Sequence, residues 1–402
     1  MLRKASFTWG VFLSNLINNE KIAEYMCIRI ILLLCICLMT SCQDKKVEVE
    51  HGVDILEVPL QREDDFASFL SHFDFSHIVP LETNDSCLIR FITKIQIYES
   101  QIYILDKLQK QIFTFNEEGG FLKRYKHLGQ GPGEYSSLTD FSIVHDTLYL
   151  VDGSKGRLLR YRLDDTFIDE ETIGVTDGVY VFSDRRWALN KKFGSSTHTS
   201  SCQCYAFYED GKEVYQDIPF NEHLRGYTFT QGEGGNNFYA YDDSVFTFFP
   251  YNDTIYTVNA GSGRLTPYMA VRVGDERIRL DDDKVTVNRL RKKDITPTIH
   301  AFYKWGNYHL FAYFHKDNPC KYVLLKGKDN VLFHGTSAWD ENYLPIKVVA
   351  YDTDSNCHLL LSVIRPYEIP SRYADKSPIL KKLSDNVSAE DNPILVFYRP
   401  TF

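Results

Sequence analysis

The carboxylates of this chain include two that recur at matched positions. Asp106 and Asp152 stand 46 residues apart, each closing a run of the same kind, Ile102-Tyr-Ile-Leu-Asp106 and Leu148-Tyr-Leu-Val-Asp152. Carboxylates converging from separate elements are what a calcium ion needs, because it takes several hard oxygen ligands. An aspartate at a strand end also accepts hydrogen bonds from its own turn, and that is the expectation here. Leu280-Asp-Asp-Asp283 reads as a solvated acidic turn. Cys202-Gln-Cys204 has no second Cys/His pair at finger-like spacing, so no zinc site is expected. No cofactor is expected, calcium being the open alternative. His127, His145, His198, His223, His300 and His309 are dispersed, and neither a Gly-x-Ser-x-Gly elbow nor a His-Glu-x-x-His pair occurs. A site assembled across several elements stays open.

Gly129-Gln-Gly-Pro-Gly-Glu-Tyr135 is a glycine-rich stretch. Three glycines give access to positive φ while Pro132 fixes its own φ, which makes a stiff loop. A phosphate cradle would need a Lys-Ser/Thr and a helix after it, and neither follows. Glu134 and Tyr135 are either structural or part of a central funnel. With Trp187, Tyr227 and Trp339 they form the candidate ligand-binding set, each ring having a core position as its alternative. Gly232-Glu-Gly-Gly-Asn-Asn237 could border a site or be a plain loop.

The elements that must position these residues repeat. Gln101–Asp106, a polar turn and Gln111–Asn116 recur as Thr147–Asp152 and Arg157–Tyr161. Alternating apolar and polar residues mark half-buried strands, and the turns between them mark hairpins. Fainter copies cover Val179–Tyr208, Ser244–Val258, Tyr308–Leu325 and His358–Ile364. Six units of roughly 45–65 residues match one four-stranded propeller blade each. Helical signals are limited to Asp64–His72, Lys284–Lys293 and an insertion over Pro366–Asp385. The chain ends on Asn392-Pro-Ile-Leu-Val-Phe-Tyr-Arg399, a strand that an N-terminal strand should complete to remove an open edge. Val53–Val58 and Ile78–Leu81 are the two candidates.

The N-terminus has the layout of an export signal. Met26-Cys-Ile-Arg29 leads into an apolar run, Ile30–Met39, too short to span a bilayer comfortably. Met39-Thr-Ser-Cys42 resembles a bacterial lipoprotein processing site, with Met where Leu is commoner. That resemblance implies a lipid-modified Cys42 as the first mature residue, and several acyl chains hold a membrane far better than one. The signal has its own Met26, so translation is expected to start there; an extended leader is the alternative. Residues 1–42 are the signal segment, 43–50 a polar tether and 51–402 the propeller.

Five cysteines remain after Cys42, namely Cys87, Cys202, Cys204, Cys320 and Cys357, and an odd number leaves at least one thiol unpaired. Formal charge is −9, and removing residues 1–42, with four basic and two acidic side chains, leaves −11. An acidic body without a basic run repels a phosphate backbone, so no nucleic acid is expected. Aromatic residues make up 14%, which suits pleated sheets and also sugar platforms. Asp146-Thr-Leu, Asp243-Ser-Val and Asp253-Thr-Ile resemble an O-glycosylation pattern of exported proteins, and chance accounts for them equally well.

Five stretches together are similar to those of Bacteroidota-type six-bladed β-propeller lipoproteins, relatives of the NHL-repeat propellers. They are Val79-Pro-Leu-Glu-Thr83 with Leu88-Ile89, the strand ending at Asp106, the Gly129–Tyr135 loop, Asp391–Tyr398, and Asn252–Tyr256 with Leu265–Tyr268. The resemblance covers about residues 50–402. It implies an all-β, six-bladed propeller of four-stranded antiparallel blades behind a lipoprotein signal, and no particular reaction. The expectation is a monomeric, non-catalytic binding module on the cell envelope, on the outer membrane with its face undecided. Its ligand would be a glycan, a peptide or a partner protein. The alternatives are a metal-dependent hydrolase or lyase, lactonase-like, with its site at the central channel, and a structural subunit of an envelope complex.

Overall fold

The computed structural model describes residues 53–58, 62–191, 193, 201–227, 237–273, 278–290, 298–314, 320–337, 348–351, 359–369 and 378–402. The signal segment, the tether, His198, Trp339 and Cys357 lie outside them.

The chain enters through β1 (Asp54–Val58), a short helix α1 (Phe66–Leu70) and β2 (Phe73–Pro80). Three blades follow in strict sequence: β3–β6 (Lys94–Tyr98, Gln101–Asp106, Gln111–Asn116, Phe121–Tyr125), β7–β10 (Asp140–Val144, Thr147–Asp152, Arg157–Arg162, Phe167–Thr172) and β11–β14 (Gly178–Ser183, Arg186–Asn190, Gln203–Glu209, Lys212–Pro219). Blade 4 is β15–β18 (Phe238–Tyr241, Ser244–Phe248, Thr254–Val258, Leu265–Val273), followed by α2 (Val287–Leu290). Blade 5 is β19–β22 (Thr298–Trp305, Tyr308–Phe314, Lys321–Lys326, Asn330–Thr336). Blade 6 has β23 (Val348–Tyr351), β24 (Leu360–Ile364) and β25 (Ile394–Pro400), with helix α3 (Pro378–Asn386) in the insertion before β25.

The outer strand of blade 6 is β2, so the N-terminal end of the chain completes the last blade. Of the two candidate strands, the one containing Ile78 closes the ring. The other, β1, pairs instead in parallel with β18 as a fifth strand on blade 4. Alternation marked both as strands but could not name their partners. The innermost strands touch in a closed circle, β3 to β7 to β11 to β15 to β19 to β23 and back to β3. That circle makes the molecule a six-bladed β-propeller.

Every blade buries both faces against its neighbours, which is why its middle strands read as nearly continuous apolar runs. Ile95, Ile102, Ile104 and Phe113 of blade 1 pack with Leu361, Val363 and Leu395 of blade 6. The other side of blade 1 gives Tyr103, Leu105 and Ile112 to a cluster with Phe141, Leu148 and Leu159 of blade 2. Each fully buried side chain of this size contributes roughly 1.5–3 kcal/mol, so these interfaces dominate stability.

Between β1 and β2 the chain straps the outside of blade 5. The Arg62 guanidinium donates to the carbonyls of Val331 and Leu332, and Asp64 exchanges backbone and side-chain bonds with His334. Phe66, Phe69 and Leu70 of α1 are buried there, with Asp65 capping the helix through the N–H of Ala67. The outer edge of blade 5 is thereby covered, while β1 and β2 are the outermost strands of blades 4 and 6. The outer edges of blades 1, 2 and 3 stay open and carry charges, a usual defence of an exposed edge.

Candidate functional site

Strand alternation divides the loops between two faces. The turns between second and third strands share one face, here the upper, with the links between blades. The other turns occupy the lower face. Asp106 and Asp152, both fully buried, organise part of the upper one. Asp106 accepts from the backbone N–H groups of Arg90 (2.8 Å), Phe91 (3.1 Å) and Gln109 (3.0 Å), and from the Gln109 side chain (2.8 Å). Asp152 accepts from the N–H groups of Ser136 (2.8 Å) and Lys155 (3.2 Å) and the Ser137 hydroxyl (3.0 Å). Burial pushes the Asp152 carboxyl up, yet these donors outweigh it and hold the group below the usual carboxylate range. Both carboxylates pin an inter-blade link to a turn, the local role expected of them.

This pinning gathers a surface over the junction of blades 6, 1 and 2. The Gln109 amide donates to the carbonyl of Leu88 at 2.7 Å, and Arg365 Nη1 donates to the carbonyl of Arg90 at 3.3 Å. Four apolar side chains on these links and turns are exposed although most of their kind are buried: Leu88 is 47% exposed, Leu108 69%, Leu128 44% and Tyr367 64%. Arg90, Lys107 and Lys110 are exposed around them. Lys107 Nζ lies 3.9 Å from Asp177 Oδ1 on the next link. The lower turns around the axis are acidic instead, with Glu99, Asp146, Asp184, Asp242 and Asp243 all exposed.

The channel wall of blades 1–3 is bonded to itself. Lys94 Nζ donates to Asp140 Oδ1 (2.8 Å) and the Phe141 carbonyl (2.6 Å), while Asp140 Oδ2 accepts from the Val179 N–H (2.8 Å). The Gln96 amide bonds both backbone groups of Ile143. Inner-strand side chains of blade 1 thus zip onto the inner strand of blade 2. His300, at a bulge in β19, is buried with its ring against Phe314, and burial lowers its pKa to about 4. Among the described residues no three His, Cys, Asp or Glu side chains are grouped so as to hold a metal ion.

The candidate aromatics lie elsewhere. Tyr135 is fully buried, its hydroxyl donating to the Lys110 carbonyl and accepting from the His127 N–H, so it is a core residue that ties the glycine loop to blade 1. Trp187 is buried and stacks on Tyr208. Both rings are inaccessible to a ligand in this structure because large aromatic surfaces are spent on the contacts between strands and blades. Glu134 is half-buried and accepts from the Gly131 N–H at 2.8 Å. A Cβ on Gly129 would stand 1.9 Å from its Oε2, so the glycine makes room for the carboxylate. Tyr227 is half-buried against Phe193 on the link leaving blade 3. Of the described cysteines, Cys87, Cys202, Cys204 and Cys320 are free thiols. Thr254 of the third glycosylation-like triplet is buried, whereas Ser244 is exposed and Thr147 half-exposed. Sequence reasoning missed Leu88, Arg90, Lys107, Leu108 and Tyr367, whose only signal is exposure.

The closed ring of inner strands and the upper surface of turns and links define a six-bladed propeller with a loop-built upper face. The chain belongs to the family described as "Domain of unknown function (DUF4934)", which matches residues 63–399. Among solved structures it is similar to a protein of Bacteroides fragilis NCTC 9343 assigned as exported, at 16% identity and a TM-score of 0.63, covering 87% of this chain and 100% of that one. It is also similar to a member of the DUF4221 family from Bacteroides vulgatus ATCC 8482, at 11% identity and a TM-score of 0.49, covering 81% and 97%. At such identities the likeness concerns the fold. No curated protein matches the sequence. No helix among the described residues is long and apolar enough to cross a membrane.

Proposed function

We propose that this chain is a non-catalytic binding module of the bacterial envelope, exported by its N-terminal signal and held to the outer membrane by lipid on Cys42. Its likeness to NHL-type propellers belongs to the same reading. One observation carries it: Leu88, Leu108 and Tyr367 are exposed on a link, a turn and an insertion that hydrogen-bond to one another over the junction of blades 6, 1 and 2, where Arg90 and Lys107 are exposed as well. Burying such side chains against a partner recovers free energy that folding left unused. The rigid blades beneath keep the ordering cost of binding low.

The test is to probe glycan and peptide arrays with the full-length protein and with the Leu108→Ser/Tyr367→Ser variant. Ligands retained by the wild type and lost by the variant support the reading. Ligands bound equally by both would overturn it. The anchor has its own test: radiolabelled palmitate should enter the wild type and be absent from Cys42→Ser, and equal labelling would exclude Cys42.

A further inference from the structure

The two faces differ in charge and in apolar exposure, and that difference narrows the ligand. The chain as a whole is at −9, so an anion meets net repulsion from most directions. The lower turns add to it through Glu99, Asp146, Asp184, Asp242 and Asp243. Over blades 6, 1 and 2 the sign reverses. Arg90, Lys107 and Lys110 are exposed and Lys155 is half-exposed, all within a few contacts of one another through Asp106, Tyr135 and Asp152. Asp85 on the link and Asp385 and Glu390 in the insertion are exposed, while the acids nearest these cations are engaged. Asp106 and Asp152 are buried and bonded, Glu368 accepts from the Arg365 N–H, and Asp177 faces Lys107. A field of this shape steers an anionic partner to the upper face and away from the lower one.

The apolar groups separate peptide from sugar. A glycan stacks on flat aromatic faces, and this surface offers one exposed ring, Tyr367. Its leucines, Leu88 and Leu108 foremost, present branched methyls that pack against aliphatic or aromatic side chains instead. The geometry points to an acidic peptide segment bearing apolar side chains as the ligand of the upper face at blades 6, 1 and 2. This inference rests on the binding-module reading and deepens it. The peptide's apolar side chains cover Leu88, Leu108 and Tyr367 while its carboxylates face Arg90 and Lys107.

The experiment pans a phage library of random dodecapeptides against the immobilised full-length protein. The best binder is then titrated by fluorescence anisotropy, with dextran sulfate and polygalacturonate titrated in parallel. Selected peptides should be net acidic and rich in Leu, Ile, Phe or Tyr. Affinity should fall about tenfold or more in Lys107→Glu and in Leu108→Ser, and should weaken with added salt. These positions are exposed, and unchanged near-UV circular dichroism shows that the variants fold. Neutral or basic selected peptides, or equal affinity for both variants, would overturn the inference. Anionic polysaccharide binding that is lost in the same variants, with no acidic peptide selected, sinks the peptide assignment and leaves the binding module standing. Absence of any variant-sensitive ligand removes both.

Discussion

The side-chain oxygen of Asn392 accepts a hydrogen bond from the backbone N–H of Ile89 at 2.8 Å, joining residues that lie 303 apart in sequence. Its nitrogen donates to the carbonyls of Glu82 (2.7 Å) and Cys87 (2.8 Å), and its own N–H donates to Thr83 Oγ1 (2.8 Å). One buried amide therefore fastens the start of the ring to its last blade, beside the pairing of β2 with β25. Asn392→Ala leaves the buried Ile89 N–H and the Cys87 carbonyl without this partner, while the Glu82 carbonyl keeps only the Cys87 thiol at 3.1 Å. About 3 kcal/mol of stability should be lost, which lowers Tm by roughly 5 °C. An unchanged Tm in a thermal scan would mean that the amide is dispensable for closure.

The Lys94–Asp140 pair should behave as a buried ion pair. Lys94→Met strands the Asp140 carboxylate, at a cost of roughly 3–5 kcal/mol. The double change Lys94→Met/Asp140→Leu should cost less than Lys94→Met alone, because no charge is left behind. A double-mutant cycle in urea measures this, and additive losses would show the two groups to be uncoupled.

Blade 5 should make the fold acid-sensitive. Burial lowers the pKa of His300 and of His309 to about 4, and it lowers that of His334 as well. A depressed histidine stays neutral in the fold while the unfolded chain takes up protons below its usual value of about 6.5. The unfolded state then binds more protons, so stability is full above that value and falls as pH drops toward 4. Urea midpoints should decline from pH 7 to pH 5, and His300→Leu should flatten the slope. A flat profile over that range contradicts the burial assigned to these rings.

Gly129→Ala should displace the Glu134 carboxylate and leave the Gly131 N–H without its partner, a loss of about 1–2 kcal/mol. Because the obstructing atoms are the end of a flexible side chain, Gly129→Ala/Glu134→Ala should be less destabilised than the sum of its parts. Strict additivity in chemical denaturation would argue that the glycine is there for another reason.

Much of the fold is legible in the sequence. Gln101–Asp106 and Thr147–Asp152 announce blades 1 and 2 because alternation and the terminal Asp recur together. Blade 3 is fainter for a physical reason: the place of Asp106 and Asp152 is taken by Lys191, whose Nζ lies 3.4 Å from Glu213 Oε2. Closure was legible as a need, whereas the roles of β1 and β2 were not. Both alternate, and only packing sends β1 to β18. The site was the least legible part. Large rings such as Tyr135 and Trp187 draw attention in a sequence and then fill the core, where they bury most area. Leu88 and Leu108 look like any other leucine until their exposure is known. Tyr367 sits in an insertion whose direction no periodicity encodes.

The central claim is that the ligand sits on the upper face at the junction of blades 6, 1 and 2. It is tested most directly by the affinity of the selected peptide for two paired variants. Leu108→Ser/Tyr367→Ser alters the upper face, and Glu117→Ser/Asp243→Ser alters exposed turns of the lower one. A loss of about tenfold or more is expected in the first and wild-type affinity in the second. Wild-type affinity in the upper-face variant, or a loss confined to the lower-face one, would contradict the claim.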